Sequence, residues 1–185
     1  ATNIIAEGEV QQLINTHDAS LDEAGYLHVI RSKTAKLFEA STQIAAILAQ
    51  ASPEVETACA TYGQALGTAF QIIDDVLDYD GDTHEMGKNL GDDLREGKCT
   101  LPLIIAMQRA NTQDSLMIRQ AIEQGSTEQL QSILRIVKST GALEATRQAA
   151  HDEAVRAMDA LKGLPQNAYT QAMEQLASQL LLRRT

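Results

Sequence analysis

Asp74, Asp75 and Asp78 stand within the apolar run Phe70-Gln71-Ile72-Ile73-Asp74-Asp75-Val76-Leu77-Asp78. Successive residues of an α-helix advance about 100°, which puts Asp74 and Asp78 about 40° apart on one face. Like charges at that spacing repel, and a solvated helix gains nothing from them. A divalent cation reverses the sign of the problem. Magnesium takes oxygen ligands, commonly one or two carboxylates, and fills its other positions with water and substrate phosphate. Asp75 points about 100° away from Asp74 and would act through water, a second ion or a neighbouring helix. The plain alternative is that the aspartates form a solvated helix end.

The elements around this turn support the metal reading. Ala60, Gly63, Gly67, Gln71, Asp74 and Asp78 fall on one narrow stripe, small residues first and polar ones last. Leu66, Phe70, Ile73 and Leu77 form the adjoining stripe, an ordinary core face. Small side chains leading to a carboxylate cluster leave room beside the helix for a ligand; the same glycines would equally permit close helix packing. Gln71, one turn before Asp74, reads as ligand-facing.

After the acidic turn, Tyr79-Asp80-Gly81-Asp82 stops the helix, and Gly87-Lys88-Asn89-Leu90-Gly91-Asp92-Asp93-Leu94-Arg95-Glu96-Gly97-Lys98-Cys99-Thr100-Leu101-Pro102 reads as a long loop. Loops of that length in compact domains tend to be functional or disordered. It carries Gly87-Lys88 and Gly97-Lys98 on a chain of net charge -10. Lysine is a compact point charge suited to phosphate, and glycine lets the backbone approach a ligand. The Walker order of glycines and lysine is missing. Two lysines behind a triple-aspartate turn favour a metal–diphosphate site.

Gly67 through Asp78, Gly87-Lys88 and Glu96-Gly97-Lys98-Cys99-Thr100-Leu101-Pro102 resemble the second aspartate-rich region of the trans-prenyl diphosphate synthases. Glu7-Gly8-Glu9-Val10-Gln11-Gln12-Leu13 and Ser32-Lys33-Thr34-Ala35-Lys36-Leu37-Phe38 match the same family, most of all its long-chain bacterial members of the octaprenyl type. The resemblance implies an all-α helical bundle of the isoprenoid-synthase type. Residues 1–185 would form the C-terminal helical part of a polyprenyl synthase domain, without the first aspartate-rich motif. The chain opens Ala1-Thr2-Asn3 with neither methionine nor helix cap, and is expected to be a truncated piece that is inactive alone.

The resemblance also implies the chemistry. Isopentenyl diphosphate condenses with an allylic prenyl diphosphate in trans elongation, giving an octaprenyl-type product for quinone side chains. Asp74, Asp75 and Asp78 would bind Mg2+. Asp74, Asp75 and Lys88 would be catalytic, and Lys33, Thr34, Gln71, Lys88 and Lys98 would hold substrate diphosphate. A terminal basic pair such as Arg183-Arg184 contacts the homoallylic substrate in some members. Helices near 1–16 and 21–50 resemble the family's dimer-forming pair, implying a homodimer. Rival readings are a non-catalytic regulatory or structural subunit of the same fold and an acidic helical interaction module. A terpene cyclase fits less well, because its second metal motif is an Asn/Ser/Glu pattern.

Composition agrees with one helical domain of ordinary size. The chain has 185 residues, 44% hydrophobic, with three prolines and no tryptophan, and is rich in helix formers. No apolar run approaches a transmembrane span, and the acidic balance argues against nucleic acid. Cys59 and Cys99 suggest no disulfide framework, which suits a reducing cytoplasm. Cys99 could be an activated thiol beside Lys98, though packing is the simpler role. Periodicity and punctuation predict helices near 1–16, 21–50, 53–80, 101–110, 113–124, 127–139, 142–162 and 166–182. In the second of these, Ile30, Thr34, Leu37, Ser41, Ile44 and Leu48 form the expected inward stripe, with Lys33 at its margin. His17, His28, His84 and His151 lack metal spacing and are expected in solvent.

Overall fold

Helix-forming segments broken at glycine, proline and Asx caps give an all-α bundle. The computed structural model describes residues 1–80 and 90–183. Its helices are α1 (Thr2–Ile14), α2 (Glu23–Ile30), α3 (Lys36–Leu48), α4 (Pro53–Asp80), α5 (Asp92–Arg95), α6 (Leu101–Arg109), α7 (Thr112–Gln124), α8 (Leu130–Ser139), α9 (Ala142–Leu161) and α10 (Ala168–Leu180). A π-helical turn, Arg31–Ala35, joins α2 to α3 without a break. The described residues contain no strand. Among the described residues, the helix absent from the expected set is α5, a single turn inside the lysine loop.

The starts and stops have local causes. Asp22 caps α2 by accepting the Gly25 N–H at 2.8 Å, and Asn111 caps α7 in the same way. Gly125 ends α7 in the left-handed region at φ 60°, where a side chain would be strained. Asn167 and Thr170 form a capping box on α10.

Helix α4 is the axis of the bundle, packed against α3, α9, the π-helical turn, α6 and α10. Its burial exceeds the expected core stripe. Ala65, Ala69, Ile72 and Val76 are buried together with Leu66, Ile73 and Leu77, as happens for a helix enclosed by others. Phe70 departs from expectation and is only half-buried, tilted against Phe38 with ring centroids 5.7 Å apart. Around the C-terminal half of α4 the main core adds Leu101 and Leu103 of α6, Ile118 and Ile122 of α7, and Ile133 and Val137 of α8. Each such side chain contributes roughly 1.5–3 kcal/mol on burial. No described helix is long and apolar enough to cross a membrane.

Two sequence expectations are corrected here. The glycine stripe of α4 does not leave space for a ligand; helix α3 fills it. A Cβ on Gly67 would lie 2.7 Å from the Ala35 Cα, and one on Gly63 would strike the Phe38 carbonyl and the Thr42 hydroxyl. The inward stripe of α3 is also rotated. Leu37, Ile44 and Leu48 are 59%, 53% and 79% exposed, whereas Ala35 and Ala46 are buried and Phe38 and Thr42 meet α4. A π-helical turn adds a residue to the helical repeat, so every later residue moves round by about 100°. Period counting through residues 31–35 has no means of registering that insertion.

Candidate active site

The C-terminal turns of α4, the π-helical turn, the end of α1 and the α5 turn meet around a cleft of about 600 Å³, counting its open mouth. Lys33, Thr34, Gln71, Asp75, Asp93 and Lys98 are among its lining residues. Five of these were candidates from the sequence. The π-helical turn is what brings Lys33 and Thr34 to it, and π-turns recur at functional sites.

Each side chain is held by a partner on another element. Lys33 lies along α1, its Nζ 2.5 Å from Gln12 Oε1 and 2.9 Å from Glu9 Oε2. It is therefore half-buried on the cleft rather than extended into water. The Thr34 hydroxyl donates to Gln71 Oε1 at 2.9 Å, and Gln71 Nε2 donates to Asp75 Oδ1 at 2.8 Å. Lys98 pairs with Glu96 at 2.6 Å and with Asp93 at 3.3 Å.

The three aspartates of α4 diverge. Asp75 turns inward, 3% exposed, and takes its second bond from the Tyr26 hydroxyl of α2 at 2.6 Å. Of the routes open to it, the neighbouring helix is the one it uses. Asp78 accepts the backbone N–H groups of Asp92 and Asp93 at 3.1 and 3.2 Å, capping α5 and tying the lysine loop to α4. Asp74 is the half-exposed carboxylate, with Arg183 Nη1 at 3.9 Å. The Arg183 guanidinium also lies 5.0 Å from the centre of the Phe70 ring. Lys88, together with Gly81, Asp82, His84, Gly87 and Arg184, falls outside the described residues.

Among the described residues no three His, Cys, Asp or Glu side chains form a ready-made cation cage. A magnesium ion held by one or two carboxylates and by diphosphate oxygens requires none. The donor chemistry fits that mode: Asp74 is half-exposed, and the carboxyl groups of Asp75 and Asp93 lie close enough to act on it electrostatically. Asp93 is the member that motif reading passed over. The signal available for it is its place two residues after Gly91 and five before Lys98.

Burial and mutual repulsion raise the pKa values of Asp75, Asp78 and Asp93. Burial first, then the charge of Asp93, pushes Asp78 up to about 7, against the pull of the two amides. Burial likewise raises Asp75, with Asp93 adding to it, and raises Asp93 despite Lys98. Burial works to lower Lys98, but Glu96 and Asp93 outweigh it and its pKa rises. A carboxylate whose pKa is raised on folding stabilises fully below its unfolded value, near 3.8 for Asp78, and that contribution is lost as pH rises through the folded value. In metal-free buffer the chain should therefore melt at a higher temperature at pH 5 than at pH 8. The lowered carboxylates, Asp18 and Glu54, act only under more acidic conditions. Scanning calorimetry at the two pH values checks this, and equal melting temperatures would refute it.

Two residues outside the cluster also need correction or assignment. His17 is exposed but not free in solvent: its Nδ1 lies 3.0 Å from the Ile122 carbonyl oxygen, and its N–H donates to the Gly97 carbonyl at 2.8 Å. Cys99 is a packing residue, 4% exposed, whose thiol burial pushes up to about 12.

Residues 1–138 match the protein family described as Polyprenyl synthetase. Over 178 residues the chain is 50% identical to the octaprenyl diphosphate synthases of Haemophilus influenzae and Escherichia coli. Those alignments cover 96% of this chain and 54% and 55% of the two relatives, so the chain spans about half their length. A polyprenyl synthase from Caulobacter crescentus, crystallised with calcium and isoprenyl diphosphate, superposes with a TM-score of 0.93 at 42% identity, covering 99% of this chain and 56% of that one. Geranylgeranyl pyrophosphate synthetase from Pyrococcus horikoshii gives 0.89 at 29% identity, covering 98% and 55%.

Proposed function

This chain belongs to the polyprenyl synthetase family, and from that premise we propose that it is the diphosphate-gripping C-terminal part of a trans-polyprenyl diphosphate synthase. The reaction is the condensation of isopentenyl diphosphate with an allylic prenyl diphosphate, extended to an octaprenyl-type product for a quinone side chain. One observation carries the reading: Lys33, Thr34, Gln71, Asp75 and Lys98, from three separate stretches of sequence, line a single cleft.

When bound, magnesium supplies charge neutralisation for the departing diphosphate. Asp74 would hold the ion on its accessible carboxylate, with Asp75 and Asp78 on the same helix within the carboxylate cluster. Lys33 and Lys98, with Lys88 as a third by sequence, stabilise the leaving diphosphate. Each is a fixed charge placed before the bond breaks, so no reorganisation is needed as negative charge develops. Glu9, Gln12, Asp93 and Glu96 keep Lys33 and Lys98 from folding back into water. Asp74-Asp75-Val76-Leu77-Asp78 is the only Asp-Asp-x-x-Asp in the chain, so the chain by itself binds diphosphate without elongating a prenyl chain.

The setting is the cytoplasm, which suits the unpaired thiols of Cys59 and Cys99. A homodimer is supported by the outward apolar residues of α1 (Val10, Leu13, Ile14) and α3 (Leu37, Ile44, Ile47, Leu48). A surface of that character on a lone protomer invites a partner, and light scattering at high protein concentration should give twice the chain mass. A clean monomer would count against it.

Thermal melts with magnesium, with inorganic pyrophosphate and with both test the binding claim. A ligand that binds only the folded state at a hundredfold excess over Kd adds about 2.7 kcal/mol. The gain should be joint, because diphosphate alone brings negative charge against the aspartates. No additional shift with both present would favour the acidic interaction module instead.

A further inference from the structure

Tyr26 belongs to none of the motifs that point to the cleft, yet it lines it. It sits near the end of α2, 3% exposed, and its hydroxyl reaches 49 residues along the chain to donate to Asp75 Oδ2 at 2.6 Å. From there the network continues through the other carboxylate oxygen. Asp75 Oδ1 accepts from Gln71 Nε2 at 2.8 Å, and Gln71 Oε1 accepts from the Thr34 hydroxyl at 2.9 Å. Because the Gln71 amide gives its NH2 to Asp75, its oxygen must face Thr34.

Asp75 is the junction of this network: it is 3% exposed, and its two oxygens are taken by Gln71 and Tyr26. A carboxylate in that position turns toward whatever donors it can find, and Tyr26 is the donor on the side away from Gln71. We infer that Tyr26 is a positioning residue of the cleft: by fixing Asp75 it sets the Gln71 amide, and through that amide it holds the Thr34 hydroxyl where substrate diphosphate binds. The inference rests on the diphosphate reading of the cleft. Tyr26 acts through Asp75, the group its hydroxyl contacts.

The test is isothermal titration of inorganic pyrophosphate into the chain in excess magnesium. Tyr26→Phe keeps the ring and its packing and removes only the donor. It should weaken pyrophosphate about tenfold, or about 1.4 kcal/mol. Tyr62→Phe is the control for lost buried bonding: its ring is 2% exposed and its hydroxyl donates to the Met173 carbonyl at 2.9 Å, away from the cleft. Tyr62→Phe should leave the affinity within twofold of the parent. In a Thr34→Val background the chain of bonds is already cut, so adding Tyr26→Phe should cost less than threefold, since residues on one network do not act additively. Gln71→Leu breaks the chain one link further on and should reproduce the loss seen with Tyr26→Phe. A parent that binds while Tyr26→Phe binds equally well overturns the inference alone. A full tenfold loss persisting in the Thr34→Val background overturns it too, because the effect would not pass through Thr34. A parent that fails to bind pyrophosphate with magnesium removes the diphosphate reading and this inference together.

Discussion

If the chain works as proposed within a complete synthase, Asp74→Ala there should lower turnover by about 10²–10³-fold, the usual loss when one preorganised charge-stabilising group is removed, while Asp82→Ala stays within a factor of a few. Asp74 is the half-exposed carboxylate of the acidic turn, one turn beyond Gln71. In sequence, Asp82 follows Gly81 and stands outside the apolar run. Steady-state kinetics across a magnesium titration is the appropriate measurement. The Asp74→Ala variant should need more magnesium for half-maximal rate, which a simple folding defect would not produce. Equal losses for the two substitutions would show that the helical-face argument selects the wrong carboxylates.

Gly67→Val should be among the most damaging single changes outside the site. A Cβ there would sit 2.7 Å from the Ala35 Cα and 3.0 Å from the Phe38 ring. The nearest obstacle is backbone, so it cannot be relieved by a rotamer change. Overpacking of this kind costs about 1–3 kcal/mol and occasionally more, and valine's branch enlarges the clash. We expect at least about 3 kcal/mol, a large part of the roughly 5–15 kcal/mol that stabilises a domain. Gly163→Ala, where an added Cβ meets nothing within 4 Å, should stay within about 0.5 kcal/mol. Urea denaturation of both variants reads this directly, and a Gly67→Val protein as stable as the parent would mean that α3 and α4 do not approach so closely.

Much of this architecture can be read without coordinates. The helices from 53–80 onward follow from apolar period, Pro53, Gly125, Gly141 and the Asn caps, which are local signals. The acidic turn and Gly97-Lys98 announce the site for the same reason: both are short motifs with a direct electrostatic meaning. What escapes the sequence is long-range. Tyr26 looks like an ordinary core aromatic until its hydroxyl is seen against Asp75. Asp93 looks like loop polarity until Asp78 caps the turn that carries it. The glycines of α4 are ambiguous between ligand space and helix contact, because only the position of α3 decides between them. The outward turn of Leu37, Ile44 and Leu48 was misjudged for one identifiable reason, the insertion at Arg31–Ala35.

That π-helical turn has an implication for how the molecule can change over evolutionary time. It fixes two registers at once: the direction in which Lys33 and Thr34 enter the cleft, and the direction in which the apolar residues of α3 leave the bundle. Losing one residue from it would swing the whole of α3 by about 100°, carrying Leu37 and Ile44 inward while pulling Thr34 away from Gln71. Substitutions can retune the cleft and the outer face independently, one side chain at a time. Insertions and deletions cannot, since any change in the length of this turn is inherited by both surfaces.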